Sequence, residues 1–444
     1  MLTRMKSSLG QIHRYSWISL AVCWLIWVLN AYDREIVLRL GPSISDTFDL
    51  SPDTWGVIAS LIMLSLAVMP IAGSAMSDRY GGGHKRAAFQ VPLVIGTTAL
   101  AFLSGFKAVS HNIVSFIAVR VGVNLGAGWG EPVGVSNTAE WWPRERRGFA
   151  LGAHHTGYPI GSLLSGIGGA AVLTWFGDDG WSYAFFFSLV FAIPIMLFWR
   201  KYSTADKIDT LYADIETKGL TAPEVITEQA ERPKGVLRKV LATPQITGTA
   251  VTTMLTQIVY MGVNTVLPLY LHNIVGLSLA ESAGLSVVFT LTGIIGQVLW
   301  PTLSDLIGRR ITIVICGVWM AISVGCLYFA TTSILVVIVQ LAFGLVANAV
   351  WPIYYATASD AAPDGGTSTA NGVITTAMFI GGGIAPVLMG RLVGLGGGWE
   401  ESTGYVYTFL CMAAFALIGA LISLAIRGAR DSAETSTNQV KVSV

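Results

Sequence analysis

Twelve apolar runs, each of roughly 20 residues or more, constrain what this chain can fold into. They lie at 16–40, 53–77, 87–106, 111–138, 148–175 and 181–200, and then at 245–272, 281–303, 310–330, 333–359, 367–394 and 401–427. Backbone polar groups cannot stay unpaired in hydrocarbon, so such segments span a bilayer only as helices or as a closed barrel. Barrel strands are alternating segments of about ten residues, and these runs are too long and too uniformly apolar for that. With 53% hydrophobic and only 12% charged side chains, the chain reads as an all-α, multi-pass membrane protein.

Lys201 to Pro244 interrupts the pattern with Asp, Glu, Lys and Arg, together with Pro223 and Pro233. The resulting plan is twelve transmembrane helices in two pseudo-symmetric six-helix bundles. Residues 1–200 form the first bundle, 201–244 a cytoplasmic linker, 245–430 the second bundle and 431–444 a polar cytoplasmic tail. The basic N-terminus (Arg4, Lys6, Arg14) precedes a run too long for a signal peptide, so that run is the first span. Placing both termini in the cytoplasm puts 22 of the 27 Lys and Arg inside, the asymmetry that orients helical membrane proteins. The formal charge of +1 gives no reason to expect a nucleic-acid partner. Cys23, Cys316, Cys326 and Cys411 all fall within spans without CxxC spacing, which points to packing rather than to disulfides or metal. No GxxxxGK[ST], HExxH or GxSxG motif occurs, so neither ATP-driven transport nor hydrolysis has its machinery, and no cofactor is implied.

The two halves repeat. GSAMSDRYGGGHKR at 73–86 recurs as WPTLSDLIGRR at 300–310, with Ser77–Asp78 and Ser304–Asp305 at an offset of 227. RVGVNLGAGWGEP at 120–132 lies over QLAFGLVANAVWP at 340–352 at an offset of 220, and Gly152 and Gly161 match Gly372 and Gly381 at the same offset. Internal symmetry of this kind marks secondary transporters. The loop after the second span resembles the motif between helices two and three of the major facilitator superfamily, and 304–310 resembles its repeat. NAYDREIVLRLGPSISDTFDLS in the first span and loop, with 266–285 and 379–394, is similar to the anion:cation symporter branch. The resemblance implies transport of an organic carboxylate anion with a proton or other cation. No Asn-x-Ser/Thr sequon occurs, which favours a bacterial inner membrane, and a monomer is expected. The resemblance also implies that Asp78, Arg79 and Arg86, and their repeat Asp305 and Arg309, gate access at cytoplasmic helix ends.

Charges inside spans need a function or a partner. Asn30, Asp33 and Arg34 share one stripe of the first span by their spacing. Arg34 offers a planar fork for a carboxylate and Asp33 a proton site beside it. Glu35 and Arg39 stand in the favourable i,i+4 order for a structural pair. In the fourth span Arg120 and Glu131 lie within about 20° of one face but roughly 16 Å apart along the axis, so they cannot pair with each other. Arg120 is a second candidate for the anion and Glu131 for the coupled proton. The symporter branch often has an acid seven residues after this Arg; here that position is Ala127, and Glu131 lies one turn deeper. From the second half, Gln257, Tyr260, Asn264, Asn348, Trp351, Tyr355 and Asn371 are candidate substrate contacts, Tyr260 foremost because it aligns with Asp33 at offset 227. His154 and His155 point about 100° apart on a helix, which rules out an i,i+4 metal pair and favours packing or hydrogen bonding. Gly157, Pro159 and Gly161 resemble an antiporter motif, and small-residue packing explains them equally. Import of a carboxylate by symport is the leading expectation. Export of a drug or aromatic compound by antiport, and a transporter-like receptor without turnover, are the alternatives.

Overall fold

The computed structural model describes residues 10–70, 76–77, 80–223, 236–363 and 367–425, apart from the side chains of 236, 305, 367 and 368. Among them are eleven helices or helix pairs long and apolar enough to cross a membrane, each over an expected span. The remaining expected span, 53–77, begins as the helix Pro52–Ser65 and then runs into residues outside the described set.

The named helices are α1 (Arg14–Arg39), α2 (Gly41–Thr47), α3 (Pro52–Ser65), α4 (His84–Leu103), α5 (Ile113–Glu140), α6 (Arg147–His155), α7 (Gly157–Phe176), α8 (Phe187–Tyr202) and α9 (Ala205–Thr217). They continue with α10 (Pro244–Asn273), α11 (Phe289–Ile307), α12 (Arg309–Cys326), α13 (Ser333–Ala347), α14 (Trp351–Asp360), α15 (Thr367–Leu395) and α16 (Ser402–Ala425). Local chemistry sets several boundaries. Asn112 caps α5 by accepting from the Ser115 N–H at 3.1 Å, and Thr332 does the same for α13 through the Leu335 N–H. Between α11 and α12 the chain turns at Gly308, whose φ of +96° only glycine adopts readily.

Contacts divide the chain into two compact units, residues 1–37 with 65–230 and residues 38–64 with 231–444. In the first, α1 is the central element, and α7 reaches it closely because Gly157 and Gly161 leave no side chain between its axis and Trp24, Val28 and Ala31. That packing is what the Gly157–Gly161 stretch does here. In the second unit α10 is the core, with 94% of its apolar window buried. Segment 38–64 belongs to this second unit. There α3 lies against α15, with Gly56 and Gly390 in backbone contact, the Val387 N–H donating to Ser60 Oγ at 2.8 Å and Arg391 bonded to Asp53 at 3.0 Å.

The stretch after 200 carries structure that its polar composition conceals. In α9, Ile208, Leu211 and Ile215 are buried in one core cluster with Trp141, Trp142 and Ala87. Tyr212 donates to the Glu140 carbonyl at 3.0 Å, and Lys218 reaches the carbonyl of Gln11 at 2.9 Å.

Candidate functional site

In the first unit the charges of α1 split into two groups. Asp33 is fully enclosed: Ser188 of α8 donates to its carboxylate at 2.5 Å, and Arg120 of α5 donates to its carbonyl oxygen. The Arg120 guanidinium lies 4.9 Å from the Phe185 ring centre and has no exposed surface. The structure thus places Asp33 and Arg120 together inside the helix packing of this unit.

Arg34 takes the other direction. Its Nη1 is 3.6 Å from Glu131 Oε2, with side-chain exposures of 6% and 17%. The guanidinium also faces Tyr158 at 5.2 Å and Trp27 at 6.0 Å, cation–π contacts that strengthen where water is excluded. Tyr158 donates to Glu35 at 2.5 Å, and Asn30 donates to the Ala127 carbonyl at 3.3 Å. Asn30, Arg34 and Glu131 therefore share one neighbourhood, walled by Trp27 and Tyr158. The Trp27 ring is stacked on His154 at 5.8 Å and meets His155 edge-on.

The second-unit candidates form a separate set. Arg39 donates to Asn264, whose own amide donates to the Tyr260 carbonyl at 2.8 Å. Tyr260 stands edge-on to Phe289 and Trp351. Gln257 packs where Gly381 and Gly382 open α15, and Asn348 fills the space beside Gly293. Tyr355 is 3.0 Å from the Thr375 hydroxyl, and Asn371 accepts from Ser359 at 3.1 Å, so both lie nearer the far end of α14.

Of the gating candidates, Asp78 and Arg79 and the side chain of Asp305 lie outside the described residues. Arg86 pairs with Glu140 at 3.1 Å and donates to Ser77 at 2.7 Å, while the same carboxylate accepts from the Gly83 N–H at 2.7 Å. In the second unit Arg309 pairs with Asp360 at 3.0 Å. Sequence reasoning missed both acids. They stand at the 220 offset already seen between 120–132 and 340–352, so extending that alignment by eight residues would have found them. Ser188 and Tyr158 had no such signal, being single hydroxyls on apolar helices. Among the described residues no cluster of His, Cys, Asp and Glu is arranged to hold a metal.

Helices long and apolar enough to span a membrane, with ion pairs buried among them, are the architecture of a multi-pass membrane protein, and the family match makes it a transporter rather than an enzyme. The chain belongs to the Major Facilitator Superfamily, which it matches over residues 23–296 and 249–442. It is 24% identical over 385 residues to the hexuronate transporter of Bacillus subtilis, covering 83% of this chain and 86% of that protein. It is 22% identical over 403 residues to the cis,cis-muconate transport protein of Acinetobacter baylyi, covering 87% and 91%. The fold is that of a solved bacterial homolog of the human lysosomal transporter Spinster, with a TM-score of 0.69, 16% identity and coverage of 93% and 98%. Relatives with organic-anion transport names agree with the resemblance to the anion:cation symporter branch.

Proposed function

We propose that the protein imports an organic carboxylate anion together with a proton by alternating access, with Arg34 holding the carboxylate and Glu131 carrying the proton. The observation that carries the reading is the Arg34–Glu131 approach at 3.6 Å in surroundings almost closed to solvent. Leaving one member of a buried ion pair uncompensated costs about 3–5 kcal/mol. Protonating Glu131 removes one negative charge from beside Arg34, and a substrate carboxylate arriving at the guanidinium restores it. Proton and anion then load together, which is the logic of symport. Asp33 and Arg120, closed on each other, act as the internal brace that holds α1 against α5 and α8 in this reading. Asn30 and, from the other half, Gln257, Tyr260, Asn264, Asn348 and Trp351 remain proposed substrate contacts, with Tyr355 and Asn371 the most peripheral. Gating falls to Arg86 and Arg309 through Glu140 and Asp360. The halves are 1–200 and 245–430, joined by 201–244 and followed by the tail 431–444, in a monomer with cytoplasmic termini in a bacterial inner membrane.

Names of the relatives set the first substrates to try: a hexuronate and cis,cis-muconate, alongside mono-, di- and aromatic carboxylates. In proteoliposomes, uptake of at least one should rise with an inwardly directed proton gradient and be lost in Arg34→Ala. Glu131→Gln, which keeps the shape of the protonated acid, should abolish gradient-driven uptake while leaving exchange of labelled for unlabelled solute. No uptake of any member under any gradient would sink the proposal.

A further inference from the structure

The helix α8 carries an apolar face that stays exposed in the first unit. Val190, Phe191, Ile193, Leu197 and Phe198 are exposed, while Ser188, Ala192, Met196 and Trp199 are buried on the opposite side. Helical spacing puts 190, 194, 197 and 201 on one stripe, so Lys201 ends that apolar face. The rise from Val190 to Lys201 is about 16 Å, close to the roughly 15 Å of hydrocarbon in one leaflet. The stripe therefore spans one leaflet, and its last member stands at headgroup depth, where long basic side chains extend. There the chain turns into α9 and brings a second ammonium to the first. Tyr202 packs on Phe198 with 4.5 Å between ring centres, and its own ring lies under both lysines. Lys207 Nζ is 4.8 Å from the Tyr202 ring centre and Lys201 Nζ is 6.0 Å from it, and Lys207 also donates to the Lys201 carbonyl oxygen. Two like charges gathered on one ring repel unless a negative group joins them. Neither ammonium is in ion-pair contact with a carboxylate among the described residues. The acid that acts on Lys207 is its neighbour Asp206, whose carboxylate is taken up by Thr204 and by the N–H groups of Asp206 and Lys207. Arg200, also exposed, adds a third positive charge at this corner.

We propose that Lys201, Tyr202 and Lys207 form the headgroup site of an anionic phospholipid in the leaflet on the linker side. Its phosphate lies between the two ammonium groups, and its acyl chains run along the stripe from Phe198 back to Val190. Charge and shape select this occupant. A free anion would satisfy the lysines but not the apolar face that leads up to them, and a zwitterionic lipid would bring a further ammonium to a corner that already holds two. The other face of α9 is buried, with Ile208, Leu211 and Ile215 in the cluster that contains Trp141 and Trp142. One headgroup thus bridges the end of α8 and the start of α9, and fastens the first helix of the linker to the bilayer surface.

Native mass spectrometry of the full-length protein, titrated in detergent with phosphatidylglycerol or with phosphatidylcholine, tests the site. The wild type should bind phosphatidylglycerol in preference. Lys201→Gln combined with Lys207→Gln should weaken that binding by roughly thirtyfold, a factor of about five for each ammonium near the surface. Binding of phosphatidylcholine should not change, which also reports that the double variant is folded. Arg238→Gln combined with Lys239→Gln removes the same charge from exposed positions elsewhere in the linker and should alter phosphatidylglycerol binding by less than about twofold. Equal effects of the two double variants would reduce the attraction to general surface charge and overturn the site. Equal binding of the two lipids by the wild type would overturn it as well. So would thermal stabilisation by inorganic phosphate that matches stabilisation by phosphatidylglycerol, because a free anion would then suffice.

Discussion

Substituting Gly56 by Ala puts a methyl where α3 and α15 touch through their backbones. The new Cβ would lie 2.6 Å from the Pro386 carbonyl oxygen, 3.1 Å from Gly390 Cα and 3.2 Å from Val387 Cα. None of these can swing aside as a side-chain tip would. Restoring an ordinary 3.4 Å contact to the carbonyl requires the helices to part by about 0.8 Å. One turn on, the Val387 N–H to Ser60 hydrogen bond of 2.8 Å would stretch to about 3.6 Å, beyond bonding range. Overpacking costs about 1–3 kcal/mol and the hydrogen bond about 1 kcal/mol more, so the α3–α15 contact should weaken by about 3 kcal/mol. At 1.4 kcal/mol per decade, that raises the population of the undocked form by roughly a hundredfold. Met63 is seven residues from Gly56, on nearly the same face of α3, and only 5% exposed. Met63→Cys therefore serves as reporter, with maleimide labelling of its peptide followed by mass spectrometry. When docking and undocking are fast, labelling follows the open population. Equal labelling rates with and without Gly56→Ala would refute the close-contact account of this crossing.

Two further perturbations test the cytoplasmic side. Leu211→Ala empties a fully buried position of α9 and should cost about 2–5 kcal/mol locally; limited trypsin digestion at Lys207 and Lys218 should accelerate well before global unfolding, and an unchanged digestion rate would contradict the docked helix. His13, beside the start of α1, is held below its ordinary pKa of 6.5, first by partial burial and then by Lys218 and Arg14, against the opposing pull of Asp214. The unfolded chain therefore binds the proton more readily than the folded one, and stability should decline as pH falls from above 6.5 through the folded pKa. His13→Gln should flatten that part of a thermal-unfolding profile against pH.

How legible the site was depended on what kind of signal each residue sends. Charges within apolar runs announce themselves: Asp33, Arg34, Arg120 and Glu131 were all identifiable because hydrocarbon makes unexplained charge costly. Their partners were not. Helical spacing showed that Arg120 cannot reach Glu131, but it could not tell that Arg34 would do so across two helices, or that Arg120 would close on the Asp33 carbonyl. Arg39 also bonds Asn264 and Glu35 accepts from Tyr158, cross-helix partners that the i,i+4 spacing of the two does not reveal. Pairings between helices depend on rotation about each helix axis, which periodicity in one helix leaves open. The helix in the linker was overlooked for a related reason, since Ile208, Leu211 and Ile215 make only a short apolar stripe in a charged stretch.

From the amino-acid order alone came the number and length of the spans, the orientation suggested by basic residues, the internal repeat and the short list of buried charges. These follow from local transfer energies, which each segment carries with it into any environment. The choice of Glu131 for Arg34, the enclosure of Asp33 with Arg120 and the matched Arg86–Glu140 and Arg309–Asp360 pairs were decided by tertiary packing. Each joins residues from different helices, and contact at 3–4 Å is set only when the helices have found their mutual depth and rotation.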